Sequence, residues 1–285
     1  MADRARGRLV ASTSAGASVR LDPSASPRAG AIRTAVLTAS GLRRLEAKKW
    51  LSGKYAGRAG AAVNVSVSPA YASDPGMAQR WADFFSSLLH GTELADLDAY
   101  IAPLTEVEEI CHGDALGCYG SNHLVLMGEP NFGVTPESVA RHEYGHHIAA
   151  HRLNPPWLAI DSGTKRWASY VGVCARTGAG TAFPGDEGAN YALNPGEAFA
   201  ESYRVLMETN GSAVGYDWPI VDPSFRPDAQ SLAALREDVV NPWQGSSTTI
   251  IRGKFLRKEP YVERAGRHAA RWGDPHPGQR AGRRS

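Results

Sequence analysis

Apolar and polar positions alternate in AAVNVSVSP, where Val63, Val65 and Val67 share one side. A period of two predicts a half-buried strand there. The next stretch, SDPGMAQRWADFFSSLLHG, changes period. Met77, Trp81, Phe84 or Phe85, and Leu88 recur at helical spacing, with Ser73 or Asp74 as cap, Pro75 in the first turn and Gly91 at the end. Alternation returns in DLDAYIAP, and HLVLMGEP reads as a further strand stopped by Gly128 and Pro130. Helical signals dominate from there on. Thr135 caps a helix with Pro136 at its first position, and Asn154-Pro155-Pro156 closes the segment. A second helix is predicted over Thr164–Ala175. A third has Asn194 as cap, Pro195 at its start and a buried stripe of Phe199, Tyr203 and Leu206. RPDAQSLAALREDVV is one more helix, and STTIIRGKF a late strand.

Strands and a helix first, then mainly helices, is the order of an α+β fold. Three regions follow from composition. Residues 1–58, rich in Ala, Ser, Arg and Gly, read as a flexible leader with one short helix in GLRRLEAKKWLSG. Residues 59–245 form the folded domain. Residues 246–285 hold the late strand and a basic tail without periodicity.

The 285 residues are 42% apolar and 21% charged, and the net charge of +2 selects no partner class. Arg and Lys crowd both ends, but no basic-aromatic stripe accompanies them, so nucleic acid is not expected as a partner. No apolar run is long enough for a transmembrane helix. The charged N-terminus lacks the apolar segment of a secretion signal. Cys111 and Cys118 flank HGDALG, and a disulfide across that loop would imply an oxidising compartment. Cys174, at apolar spacing from Trp167, Tyr170 and Val171, is expected to be a buried free thiol.

Four of the nine histidines lie in VARHEYGHHIAAH. His142, Glu143 and His146 make H-E-x-x-H. On a helix, positions i and i+4 share a face about 6 Å apart along the axis, so both imidazoles can reach one zinc ion. Glu143 can reach a water on the metal without occupying a coordination position. A third ligand is needed. Ala149 and Arg152 stand where a metzincin-type site needs Gly and His, and the acid in DSGTKRWASY precedes its Gly-Thr. Glu197 in NPGEAFAES is the remaining option. Glu201, one turn on, can hydrogen-bond a ligand imidazole and fix its tautomer. Glu201 can also pair with Arg204. His147 faces away from the metal as a surface or supporting group, and His151 is expected to be exposed.

HEYGH followed by NPGEAFAES resembles the gluzincins, the zincin metallopeptidases with a Glu third ligand, and within them the branch of the anthrax lethal factor catalytic domain. The strong part of the resemblance runs from Thr135 to Leu206. It implies a zincin-like fold and a Zn2+-dependent endopeptidase acting on a peptide or protein substrate, with Glu143 as general base. It also implies a sheet-edge strand that binds extended peptide, a role falling to HLVLMGE, and a Tyr that steadies the oxyanion. Tyr191 is the candidate, with Tyr203 as a weaker substitute. Two other readings stand beside it: an intracellular regulatory H-E-x-x-H protease, and an inactive zincin-fold binding protein. The cysteine pair favours an extracellular or cell-envelope location, with the cytoplasm as the alternative.

Overall fold

Short alternating segments build a six-stranded mixed sheet whose partners come from distant parts of the chain. A computed structural model describes residues 34–245 apart from 59 and 132, together with a two-residue ladder of β1 (Ala11–Ser12) and β2 (Ser18–Val19). The sheet contains β3 (Ala35–Val36), β4 (Leu51–Ala56), β5 (Ala62–Val67), β6 (Asp98–Ala102), β7 (Gly117–Gly120) and β8 (His123–Met127). Its order is β3-β7-β8-β6-β5-β4. β5, β6 and β8 run parallel, whereas β4 against β5 and β7 against β8 are antiparallel. Val63, Val65 and Val67 are buried as the alternation requires. Central β8 is buried over nearly its whole length, as strands covered on both faces are.

The expectation for HLVLMGE needs correction. β8 lies inside the sheet, bonded to β6 on one side and β7 on the other, so it offers no free edge. The antiparallel strand beyond it is β7, and the outer edge of β7 carries β3. Nor does the leader end at residue 58. Thr38 caps α1 (Ala39–Ala47) by accepting from Gly41 N, and β4 pairs along its full length with β5.

α2 (Met77–Ser87) packs on β4 and β5, burying Trp81 and Phe85. It starts from Gly76 rather than from a Ser73 or Asp74 cap, and it ends before Gly91; Asp74 pairs with Arg80 instead. α3 (Leu104–Cys111) packs against α1 and β8, and Cys111 at its end is disulfide-bonded to Cys118 on β7. That crosslink fixes the start of β7, which the site uses.

α4 (Pro136–Ala150) begins as expected, with the Thr135 hydroxyl accepting from Ser138 N. A tight hairpin of β9 (Leu153–Asn154) and β10 (Trp157–Leu158) follows, then α5 (Ala159–Ser162). The helix expected over 164–175 is two pieces, α6 (Lys165–Val171) and α7 (Val173–Gly178), broken at left-handed Gly172. The break turns the second piece away from the stripe set by Trp167, and Cys174 is exposed rather than buried. α8 (Pro195–Glu208) is capped by Asn194 and buries Phe199, Tyr203 and Leu206. α9 (Ala229–Val240) starts at an Asp228 capping box. Its Asp238 accepts from Thr164 Oγ1 (2.6 Å), Arg166 N (2.8 Å) and Trp167 N (3.1 Å), capping α6 from outside. The strand expected at 247–255 lies outside the described residues.

Candidate metal centre

Two helices carry the site, and their closeness has a local cause. A Cβ on Gly145 would stand 2.7 Å from the Cα of Ala200, so α4 and α8 can approach this closely only with a glycine at one position and a small residue at the other. The approach brings Glu197 beneath both histidines. His146 Nε2 lies 3.2 Å from His142 Nε2. Glu197 Oε2 lies 3.2 Å from His142 Nε2, and Oε1 lies 3.3 Å from His146 Nε2. The three donor atoms fall within 4.8 Å of one another and all three residues are buried, so the group could hold a metal ion.

His142 is oriented from behind. Its Nδ1 sits 3.1 Å from Glu201 Oε2, and a buried carboxylate there can only accept, so Nδ1 carries hydrogen and Nε2 faces the cluster. Glu201 also receives Arg204 through Nη2 (2.8 Å) and Nε (3.0 Å). Both roles read from the sequence for Glu201 are therefore present together. Burial opposes charge on His142, but the bonds from Glu197 and Glu201 outweigh it and hold its pKa up at about 10. Burial likewise pushes Glu197 and Glu201 upward. The two histidines pull Glu197 well below the usual carboxylate range, and His142 with Arg204 lowers Glu201.

Glu143 behaves oppositely. It is fully buried, and neither carboxyl oxygen has a hydrogen-bond partner among the described residues. Burial drives its pKa well above the ordinary value; His142 opposes this, and Glu197 and Glu187 add to it. An unpartnered buried carboxyl costs stability, which marks a position kept for chemistry. β7 comes close on this side because residue 117 is glycine. A Cβ there would be 2.7 Å from Val139 Cγ1 and 3.1 Å from Glu143 Oε1.

Tyr191 joins the cluster. Its hydroxyl donates to Glu197 Oε2 at 2.9 Å, and burial, with Glu197 adding, raises its pKa well above 10.0, so it stays a donor. Tyr203 does not join; its hydroxyl donates to Leu89 O. His147 is buried rather than at the surface, with Nε2 2.8 Å from Glu93 O and Nδ1 3.1 Å from Tyr119 OH. His151 is half-buried, its Nδ1 2.9 Å from His147 O.

Two participants were not visible in the sequence. Thr34 Oγ1 donates to Glu197 Oε2 at 3.0 Å and lies 3.1 Å from His142 Nε2 and 2.9 Å from Tyr191 OH. Glu187 accepts from Asn194 Nδ2 at 3.0 Å, and burial with Glu197 behind it raises its pKa to about 8. A lone Thr in an Ala- and Arg-rich run gives no signal, and Glu187 lies in a loop without periodicity.

His147 makes a stability prediction. Burial lowers its pKa from 6.5 to about 4, so the fold holds it neutral. Between those values the unfolded chain takes a proton that the folded chain refuses, and stability falls as pH falls. The full loss is about 3 kcal/mol. Denaturant midpoints across that window should drop less steeply in His147→Gln than in the wild type.

No family model, curated protein or solved structure matches this chain. No helix among the described residues is long and apolar enough to cross a membrane.

Proposed function

We propose that the chain is a zinc-dependent endopeptidase of the zincin type. The observation that carries this reading is the convergence of His142 Nε2, His146 Nε2 and the Glu197 carboxylate. Donor atoms each 2.0–2.1 Å from a tetrahedral zinc lie roughly 3.3 Å apart. The two imidazole nitrogens are 3.2 Å apart, and each has one Glu197 oxygen at a similar distance, Oε2 3.2 Å from His142 and Oε1 3.3 Å from His146. Two imidazoles and one carboxylate are also the donor set of catalytic zinc sites that keep a fourth position open.

Zinc held there would supply Lewis acidity, lowering the pKa of a water toward about 7 and polarising the scissile carbonyl. The protein's own groups do the rest. Glu143 takes a proton from the attacking water and hands it to the departing amine. Tyr191 offers its phenolic hydrogen to the oxyanion that develops on the former carbonyl. Glu201 keeps His142 in one tautomer throughout.

The Cys111–Cys118 disulfide favours an extracellular or cell-envelope location and weighs against an intracellular regulatory protease. The retention of a carboxyl at Glu143, buried beside the His142 and His146 pair, weighs against an inactive binding protein.

Metal uptake tests the reading. With its pKa at about 10, metal-free His142 is protonated near neutral pH, and zinc must displace that proton. Calorimetry in buffers of different ionisation enthalpy should give one zinc per chain and at least one proton released. Affinity should rise with pH across the neutral range. Saturable zinc binding that survives unchanged in His142→Ala would contradict the assigned ligands.

A further inference from the structure

Resting on that reading, a second feature concerns the segment just before α1. Thr34 is 4% exposed and its side chain is turned into the metal cluster. Its hydroxyl stands 3.0 and 3.1 Å from two of the ligand atoms, Glu197 Oε2 and His142 Nε2. Those distances match the separations of the ligand atoms from one another. The same hydroxyl is 2.9 Å from Tyr191 OH, and Thr34 N donates to that phenol at 3.2 Å. Thr34 thus sets an oxygen against two of the three ligand residues, and engages the phenol assigned to the oxyanion.

The backbone continues the pattern. Ala35 and Val36 pair in parallel with Cys118 and Tyr119, and Leu37 N donates to Tyr119 O at 2.9 Å. The segment therefore takes up the outer edge of β7, the strand whose Gly117 faces Glu143. A peptide adding a strand to β7 would need the edge that this segment holds. The ladder is only two residues long and Val36 is 49% exposed, but Thr34 and Leu37 on either side of it are buried. A neutral hydroxyl is also a weak competitor for zinc beside a carboxylate or thiolate.

We infer that residues 34–37 are an intramolecular occupant of the substrate path, and that substrate reaches the site only in the fraction of chains from which this segment is displaced. β7 keeps its bonds to β8 when the segment leaves, while Leu37 at the segment's end is buried in the core.

The test uses the zinc-loaded full chain as wild type, Thr34→Ala and Thr34→Ser, with acetohydroxamate as a small chelator that takes an open metal position. Affinity for it is read by calorimetry, and amide hydrogen exchange is read at residues 35–37. If the segment is docked most of the time, the apparent affinity is the intrinsic one multiplied by the undocked fraction. Thr34→Ala should then bind roughly tenfold tighter. Thr34→Ser, which keeps the hydroxyl, should match the wild type. Acetohydroxamate should speed exchange at 35–37 in the wild type. Equal affinity in Thr34→Ala, weaker affinity in Thr34→Ala, or exchange at 35–37 that ignores the chelator would each overturn the inference. Metal content, measured on the same samples, separates the two failures. A chain that takes up no zinc sinks the metal reading and this inference together, whereas a zinc-loaded chain indifferent to Thr34 sinks only this one.

Discussion

Glu143→Gln keeps zinc and loses peptide hydrolysis by roughly 10²–10⁴-fold, the contribution of general acid–base help. The side chain touches none of the ligand atoms through any hydrogen bond, and its two oxygens have no partner among the described residues that a glutamine amide would disrupt. The fold should accordingly persist, and removing an unpaired buried carboxyl should leave stability equal or slightly higher. The amide cannot take the water's proton, so the loss should appear in kcat rather than in KM. A zinc assay beside a peptide-library digest checks this. Digestion at the wild-type rate would mean that another group moves the proton, and Glu187 would be the next residue to change.

Glu201→Ala should cost both stability and metal affinity. Glu201 is fully buried and joins two partners that lie in different helices, His142 on α4 and Arg204 on α8. Breaking a buried pair by removing one side typically costs 3–5 kcal/mol. About 3 kcal/mol is expected here, because Glu208 and Asp217 still face Arg204. His142 would also lose the acceptor that fixes its tautomer, and zinc affinity should fall by roughly 10–100-fold. Thermal unfolding with and without zinc separates the two effects, since the metal-free melt reports the ion pair and the zinc-induced shift reports the site. An unchanged zinc-induced shift would show that Glu201 supports the fold alone.

The site was more legible in the sequence than the sheet around it, and the reason is local. H-E-x-x-H works within one helix, and α4 announces its start through Thr135 and Pro136. Glu197 sits three residues into a helix marked by Asn194 and Pro195, so its distance along the chain was no obstacle. Sheet neighbours, by contrast, are chosen by tertiary packing. The apolar run in HLVLM identifies a strand but says nothing about which strands flank it, and β8 proved central rather than an edge. β4 (LSGKYA) has Gly and Lys in its interior and is largely exposed, so no alternation betrays it. β7 (GCYG) is four residues with glycine at each end and reads as a loop until β8 and β3 pair with it. Cys174 followed from carrying a helical stripe through Gly172, where a left-handed residue interrupts it. Thr34 owes its position wholly to the pairing of β3 with β7, a contact across which composition carries no information.

Native mass spectrometry of the full chain after zinc loading, compared between wild type and Glu197→Ala, tests the central claim most directly. Glu197 is the ligand that comes from the second helix, so the metal reading depends on α4 and α8 acting together. One zinc per wild-type chain, with Glu197→Ala folded but largely zinc-free, is the predicted result. A wild type that holds no zinc, or a Glu197→Ala variant that holds it as tightly as the wild type, would contradict the account.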